Sequence, residues 1–300
     1  MPIIEGENTI EQENTNSYNE INNTQEQEQN QIPQSTIATV EVTDEKTPII
    51  FLFGAPNSGK TMTLVRLYRY LFKNQITIVA EKSFVTNDGD KYKEKCDNFQ
   101  KNVNSDKAAE ATKGVDFMLL KISDNGSDIC QILESPGEKL FHPDPNEDKG
   151  FPVKYVSKII NSNNKKIYII FLEPNWKDQS TRRRYVERIK LLKKKMDPRD
   201  KVIFLYNKID ESSTLNKKGR VVMSSLKKQI NNEYPGLLNL FENEGIISRF
   251  WREYDCFLVP FQTGDYSVEQ DNNTNTNIKV FTEGKDLYPK HLWETIKKCL

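Results

Sequence analysis

The chain has 300 residues, 36% hydrophobic and 29% charged, with a mean hydropathy of −0.71, which is polar for a globular protein and implies that part of it does not fold alone. No run approaches the roughly 18 to 20 apolar residues of a membrane span, Met1–Ile10 has neither the basic nor the apolar region of a signal peptide, and Cys96, Cys130, Cys256 and Cys299 lie too far apart for a disulfide scaffold or a metal-binding pair. Charge is balanced in total but not along the chain: residues 1–46 hold ten acidic residues and one lysine (−9), and residues 47–300 hold 42 basic and 33 acidic (+9). With two histidines, His142 and His291, a His-rich zinc site is not expected, and a reducing cytoplasm is the simplest setting for the four thiols.

Residues 1–46 are rich in Asn, Gln, Glu and Thr, and isolated Ile3, Ile4, Ile10 and Ile21 bury too little surface to offset the entropy of ordering. A disordered acidic tail is expected there, and residues 47–300 are expected to form the folded domain. Pro48–Phe53 is a short apolar run that fits a buried parallel strand. A loop, Gly54–Gly59, follows, and then Lys60–Lys73 reads as a helix with Leu64, Leu67, Tyr68 and Leu71 on one face. Strands are predicted at Ile76–Ala80, Val115–Ile122, Asp128–Leu133, Lys166–Leu172, Lys201–Tyr206 and Cys256–Val259, separated by helical patterns such as Tyr185, Ile189, Leu192 and Met196. Residues 81–110 are polar and partly helical, an insertion rather than a second domain. Residues 264–300 form a C-terminal elaboration, with the polar loop Asp271–Asn277 between two short strands and Pro289 in the first turn of a last helix. Strands alternating with helices imply a three-layer α/β fold around a mostly parallel central sheet.

Gly54-Ala-Pro-Asn-Ser-Gly-Lys-Thr61 matches the phosphate-binding pattern G-x-x-x-x-G-K-[ST], between an apolar strand and an amphipathic helix. Gly54 and Gly59 let the backbone curl so that N–H groups from Asn57 to Met62, including that of Ser58, face an anion at a helix N-terminus. Lys60 can reach the outer phosphates, and the Thr61 hydroxyl can bind Mg²⁺. Asn207-Lys-Ile-Asp210 follows the strand ending at Tyr206. Guanine presents two adjacent donors, N1–H and its 2-amino group, and one carboxylate, that of Asp210, can accept both. Asn207 and the aliphatic stem of Lys208 would buttress the base. This disfavours an ATP-dependent enzyme.

Together these motifs resemble the translation-factor-related class of P-loop GTPases, which includes the Ras-like small GTPases, in a bacterial-type form with insertions. The resemblance covers about residues 48–263 and implies that GTP or GDP and Mg²⁺ are the cofactors. The switch threonine implied is Thr112, in Thr112-Lys-Gly-Val-Asp-Phe117, contacting Mg²⁺ and the terminal phosphate. The D-x-x-G motif corresponds to Glu134-Ser-Pro-Gly137, with Gly137 offering its N–H to that phosphate and Glu134 standing where aspartate is usual on the metal side. A backbone contact to guanine is implied at Thr263 and Gly264. Glu138 occupies the place of the water-orienting glutamine of Ras-like enzymes, so the catalytic candidates are Lys60 and Glu138. No arginine occurs between Tyr70 and Thr181, and Arg182–Arg184 with Lys193–Lys195 read as a solvated basic face rather than a nucleic-acid site. Asn57, in Gly-x-Pro-Asn-x-Gly-Lys, is similar to the loop of K⁺-dependent GTPases and makes a monovalent ion a further ligand to test. The resemblance implies either a slow GTPase switch completed by an activating protein, or a guanine-nucleotide-binding module that hydrolyses little and works through a protein partner.

Overall fold

The apolar runs of the sequence become the centre of a sheet. In a computed structural model, which describes residues 39–87, 89–103, 117–141, 151–174, 176, 178–216, 219–243, 254–270 and 277–300, every residue of β1 (Ile49–Phe53) and β5 (Lys166–Leu172) is buried. Strands covered on both faces have no polar side to alternate with, which is why these segments read as continuous hydrophobic runs.

In chain order the further elements are α1 (Lys60–Lys73), β2 (Thr77–Ala80), α2 (Gly89–Val103), β3 (Met118–Asp124), β4 (Ser127–Glu134), the single turn α3 (Gly137–Leu140), α4 (Lys154–Ile160), α5 (Gln179–Lys193), β6 (Lys201–Tyr206), α6 (Met223–Glu233), β7 (Phe257–Pro260), β8 (Gly264–Gln270), β9 (Asn277–Glu283) and α7 (Leu287–Cys299). Seven strands form one sheet in the order β2-β3-β4-β1-β5-β6-β7. The run β4-β1-β5-β6-β7 is parallel, and β2 and β3 add an antiparallel edge. The fold is therefore mixed α/β with a mostly parallel central sheet. β8 and β9 form a separate antiparallel ribbon.

Several boundaries differ from the sequence reading. The compact unit begins at Thr39, not at residue 47. Val40 is 2% exposed and bridges Val85, and the Asp44 carboxylate accepts from the N–H groups of Lys46 and Thr47. Acidic composition hid this one apolar anchor. The expected tail up to residue 38 lies outside the described residues. The strand expected at 115–122 runs over Met118–Asp124, with 115 and 116 outside the described residues. The polar segment 81–110 contains α2, whose Tyr92, Cys96, Phe99 and Val103 are buried. Leu300, which follows the last helix, is half-buried.

The basic face expected at Arg182–Arg184 is only partly solvated. Arg182 donates to the Glu233 and Trp176 carbonyls and lies over the Tyr234 ring, and Arg184 is half-buried beside Thr181. Long guanidinium side chains at the start of a packed helix find backbone acceptors and an aromatic face, which composition does not reveal.

Candidate functional site

Five chain reversals at the carboxyl ends of the parallel strands build one site. β1 lies between β4 and β5: the connection after β1 runs to β2 at one edge, and the connection after β4 crosses to β5 on the other side of β1. Open α/β sheets carry their ligand crevice at such a point.

The loop after β1 curls because two of its residues are left-handed: Asn57 at φ 61° and Gly59 at φ 87°. Ser58 N–H donates to the Ala55 carbonyl at 3.3 Å, and Thr63 N–H donates back to Gly59 at 2.9 Å, so α1 starts directly out of the loop. Glycine is required at 59 on two counts. Its φ suits glycine, and a Cβ there would lie 2.3 Å from Nδ2 of Asn207. Lys60 is 6% exposed, and its ammonium donates to the carbonyls of Gly54 (3.1 Å) and Ala55 (2.9 Å).

The loop after β6 meets the first loop directly. Asn207 is 2% exposed, and its Nδ2 donates to the Ser58 carbonyl at 3.0 Å. Lys208 takes a left-handed conformation, φ 53°, and its ammonium pairs with the carboxylate of Glu173, which follows β5. Ile209 N–H donates to the Phe261 carbonyl at 3.1 Å, and Phe261 N–H to Tyr206 at 2.8 Å, so the loop after β7 is fastened beside the loop after β6. Asp210 is left exposed on the open side.

Between these loops lies a cavity of about 610 Å³. It is walled by Asn57, Gly59, Lys60, Thr61 and Met62 at one end, and by Asn207, Lys208, Asp210, Thr263 and Gly264 at the other. Those ten residues come from three separate segments, 57–62, 207–210 and 263–264, and each was a candidate in the sequence. Two further residues, Glu211 and Asp265, also line it. Each directly follows a candidate, and that adjacency was the available signal.

Other candidates stand behind the wall. Gly54 lies beneath the loop as an acceptor for Lys60. Ser58 is 3% exposed, and its hydroxyl is buried with no hydrogen-bond partner, so it contributes its backbone carbonyl rather than its side chain. Gly137 rests on the loop backbone: a Cβ there would lie 2.4 Å from Pro56 N and 2.7 Å from the Ala55 carbonyl carbon. Three and four residues on, Leu140 and Phe141 are buried, with Phe141 against the rings of Trp176 and Tyr185. Thr112 lies outside the described residues, and so does the side chain of Glu138.

Glu134 ends β4 at 2% exposure. Its Oε1 accepts from the Thr61 hydroxyl at 2.8 Å, while Oε2 is buried with no hydrogen-bond partner. Burial pushes its carboxyl up to about 7, against the opposing influence of the Lys60 ammonium and the Thr61 hydrogen bond. An orphaned carboxylate oxygen beside a hydroxyl is a donor set that suits a hard cation. Among the described residues no group of three or more His, Cys, Asp or Glu could hold a metal unaided, so phosphate or water oxygens would have to complete such a site.

A scan against protein-family models and a search of curated proteins return no match. Solved structures similar to the chain include a nucleolar GTP-binding protein 1 of Plasmodium falciparum (13% identity, TM-score 0.36, 75% of this chain and 81% of that one). The Roco2 RocCORdC structure of Methanosarcina barkeri bound to GDP is similar at 12% identity and TM-score 0.35 over 88% of this chain. The Ski7 GTPase-like domain of S. cerevisiae bound to GDP and inorganic phosphate is similar at 15% identity and TM-score 0.40 over 84% of this chain. The chain spans 51% of the Roco structure and 50% of the Ski7 structure.

Proposed function

We propose that the protein binds guanine nucleotides in the 610 Å³ cavity and acts as a slow GTPase switch of the translation-factor-related class, converting GTP to GDP and phosphate. The observation that carries this reading is the 3.0 Å hydrogen bond from Asn207 to Ser58, which joins the phosphate-loop and base motifs across one cavity. In this reading Gly59–Met62 direct N–H groups at phosphate oxygens, Lys60 places a positive charge beside them, and Asp210 accepts N1–H and the 2-amino group of guanine. Adenine has neither N1–H nor a 2-amino group.

Thr61 and Glu134 fit Mg²⁺, Thr61 through its hydroxyl and Glu134 through its unpartnered oxygen. When bound, Mg²⁺ supplies neutralisation of phosphate charge. Thr112 is the proposed third contributor. Asn57, on the cavity wall, is the proposed contact for K⁺.

Hydrolysis needs an oriented water and positive charge on the leaving oxygens. Glu138 can accept a proton from water, but a carboxylate beside phosphate opposes the charge that develops there. With no arginine from Tyr70 to Thr181, positive charge beyond that of Lys60 and the metal would come from a protein partner or a monovalent ion. Glu134 and Glu138, in place of the usual residues, also favour a second reading, a binding module that works by partner recognition with little turnover. A cytoplasmic setting is supported by four buried free thiols. No described helix is long and apolar enough to cross a membrane.

The test is to purify the protein, identify the nucleotide it carries, and measure single-turnover hydrolysis in K⁺ and in Na⁺. Slow hydrolysis that K⁺ or a partner accelerates, with the K⁺ effect lost in Asn57→Ala, supports the switch. Tight GTP binding with no turnover under any condition supports the binding module. Fast unassisted hydrolysis in Na⁺ contradicts this reading of the catalytic residues.

A further inference from the structure

The helix that leaves the phosphate loop also grips the segment that follows the base loop. Arg66 lies on α1 six residues after Lys60, with its side chain fully buried. Its guanidinium donates to Glu283 Oε2 at 2.9 Å, to Asp286 Oδ1 at 2.5 Å and to the Gly284 carbonyl at 2.6 Å. Arg69 and Lys73, one and two turns further along, reach the same Glu283 carboxylate at 2.9 and 3.1 Å. These carboxylates close β9 and open α7.

From Gly284 the connection runs to the cavity wall in one step. Gly284 N–H donates to the Thr263 carbonyl at 3.3 Å, and a Cβ at 284 would lie 3.4 Å from the Gly264 Cα. Gly264 is paired in register with Glu283. Thr263 and Gly264 line the base end of the cavity, beside the Phe261 carbonyl that anchors Ile209, next to Asp210. Recognition through backbone atoms leaves their position to be set by the segments packed against them.

We propose that Arg66 is a positioning residue for base recognition. Through Gly284 it fixes the Thr263–Gly264 backbone against the Asn207–Asp210 loop, and so ties discrimination at the base to the helix that starts at the phosphates. The inference rests on the guanine-nucleotide reading above. A guanidinium is needed because its planar fork serves two carboxylates and a carbonyl at once, whereas a lysine ammonium is a point charge on a flexible stem.

The test compares wild type, Arg66→Lys, the double variant Glu283→Gln/Asp286→Asn, and Arg69→Lys as a control at the neighbouring guanidinium that pairs with Glu283. Affinities for GDP, ADP and inorganic pyrophosphate are measured by calorimetry. Amide exchange at Gly264 and Gly284 is followed without nucleotide. Arg66→Lys is expected to weaken GDP by roughly 10-fold, as when the binding-competent arrangement of the Thr263–Gly264 backbone falls to about a tenth of the population. Pyrophosphate should stay within about twofold, and exchange at Gly284 should accelerate. The double variant should move the same quantities in the same direction without removing Arg66, and Arg69→Lys should leave the GDP to ADP ratio unchanged.

Equal loss of GDP and pyrophosphate would mean a general structural role and overturn the proposal. So would an unchanged GDP to ADP ratio in Arg66→Lys when wild type prefers GDP. If wild type shows no preference for GDP, the guanine reading fails and the proposal falls with it, while faster exchange at Gly284 would still mark the Arg66 link as real.

Discussion

The contact between Gly59 and Asn207 can be tested as a coupled pair. In Gly59→Ala the new methyl would sit 2.3 Å from Asn207 Nδ2, so that side chain must move. Moving it breaks the 3.0 Å bond to Ser58 and leaves a buried carbonyl unpaired, at about 1 to 3 kcal/mol. The left-handed backbone, φ 87°, adds about 1 to 2 kcal/mol once a Cβ is present. Gly59→Ala should therefore cost about 2 to 5 kcal/mol of stability, and Asn207→Ala about 1 to 3 kcal/mol. The double variant has no amide left to collide with. It should cost about 2 to 5 kcal/mol, no more than Gly59→Ala alone, giving a coupling of about 1 to 3 kcal/mol. Urea unfolding of the four ligand-free proteins measures this. Additivity within about 0.5 kcal/mol would refute the close approach of the two loops.

Lys60→Ala should lose triphosphate affinity by orders of magnitude while melting near the wild-type temperature, because the ammonium donates to loop carbonyls on the cavity side; GTP binding equal to wild type would remove the phosphate role. Glu134 gives the ligand-free protein a pH dependence of definite sign. Its folded carboxyl titrates near 7, above the ordinary 4.5, so its protonated form favours the fold: that stabilisation is complete below about pH 4.5 and is lost as pH rises through about 7. The amplitude is on the order of 3 kcal/mol, and Glu134→Gln should abolish it. Melting curves between pH 4.5 and 8 with the same slope for both proteins would show that Glu134 is ionised throughout.

Much of this was legible in the chain. The strands Lys166–Leu172 and Lys201–Tyr206 and the helix Lys60–Lys73 coincide with their predicted bounds, because continuous apolar runs and a 3.6-residue stripe are strong local signals. Ten candidate site residues meet on one cavity because each motif sits at a strand's carboxyl end. The remainder depends on tertiary context. Val40 is one apolar residue in an acidic segment, and its burial and its bridge to Val85 show that it is folded. Glu211 and Asp265 have no motif of their own. The 73-residue separation of Thr61 from Glu134 makes their hydrogen bond invisible to spacing, although the resemblance had placed both at the metal. Arg66 reads as one of several surface cations on α1 until Glu283, Gly284 and Asp286 close over it.

The most direct test of the guanine assignment is a calorimetric comparison of GDP, xanthosine diphosphate and ADP on wild type and Asp210→Asn. Wild type should prefer GDP strongly to ADP. Asp210→Asn should lose the paired acceptor for N1–H and the 2-amino group, at a cost of roughly 1.5 to 3 kcal/mol in GDP affinity. Its amide can donate to the 2-carbonyl of xanthine, so the preference should turn toward xanthosine diphosphate. Equal affinity of the wild-type protein for GDP and ADP would contradict the assignment.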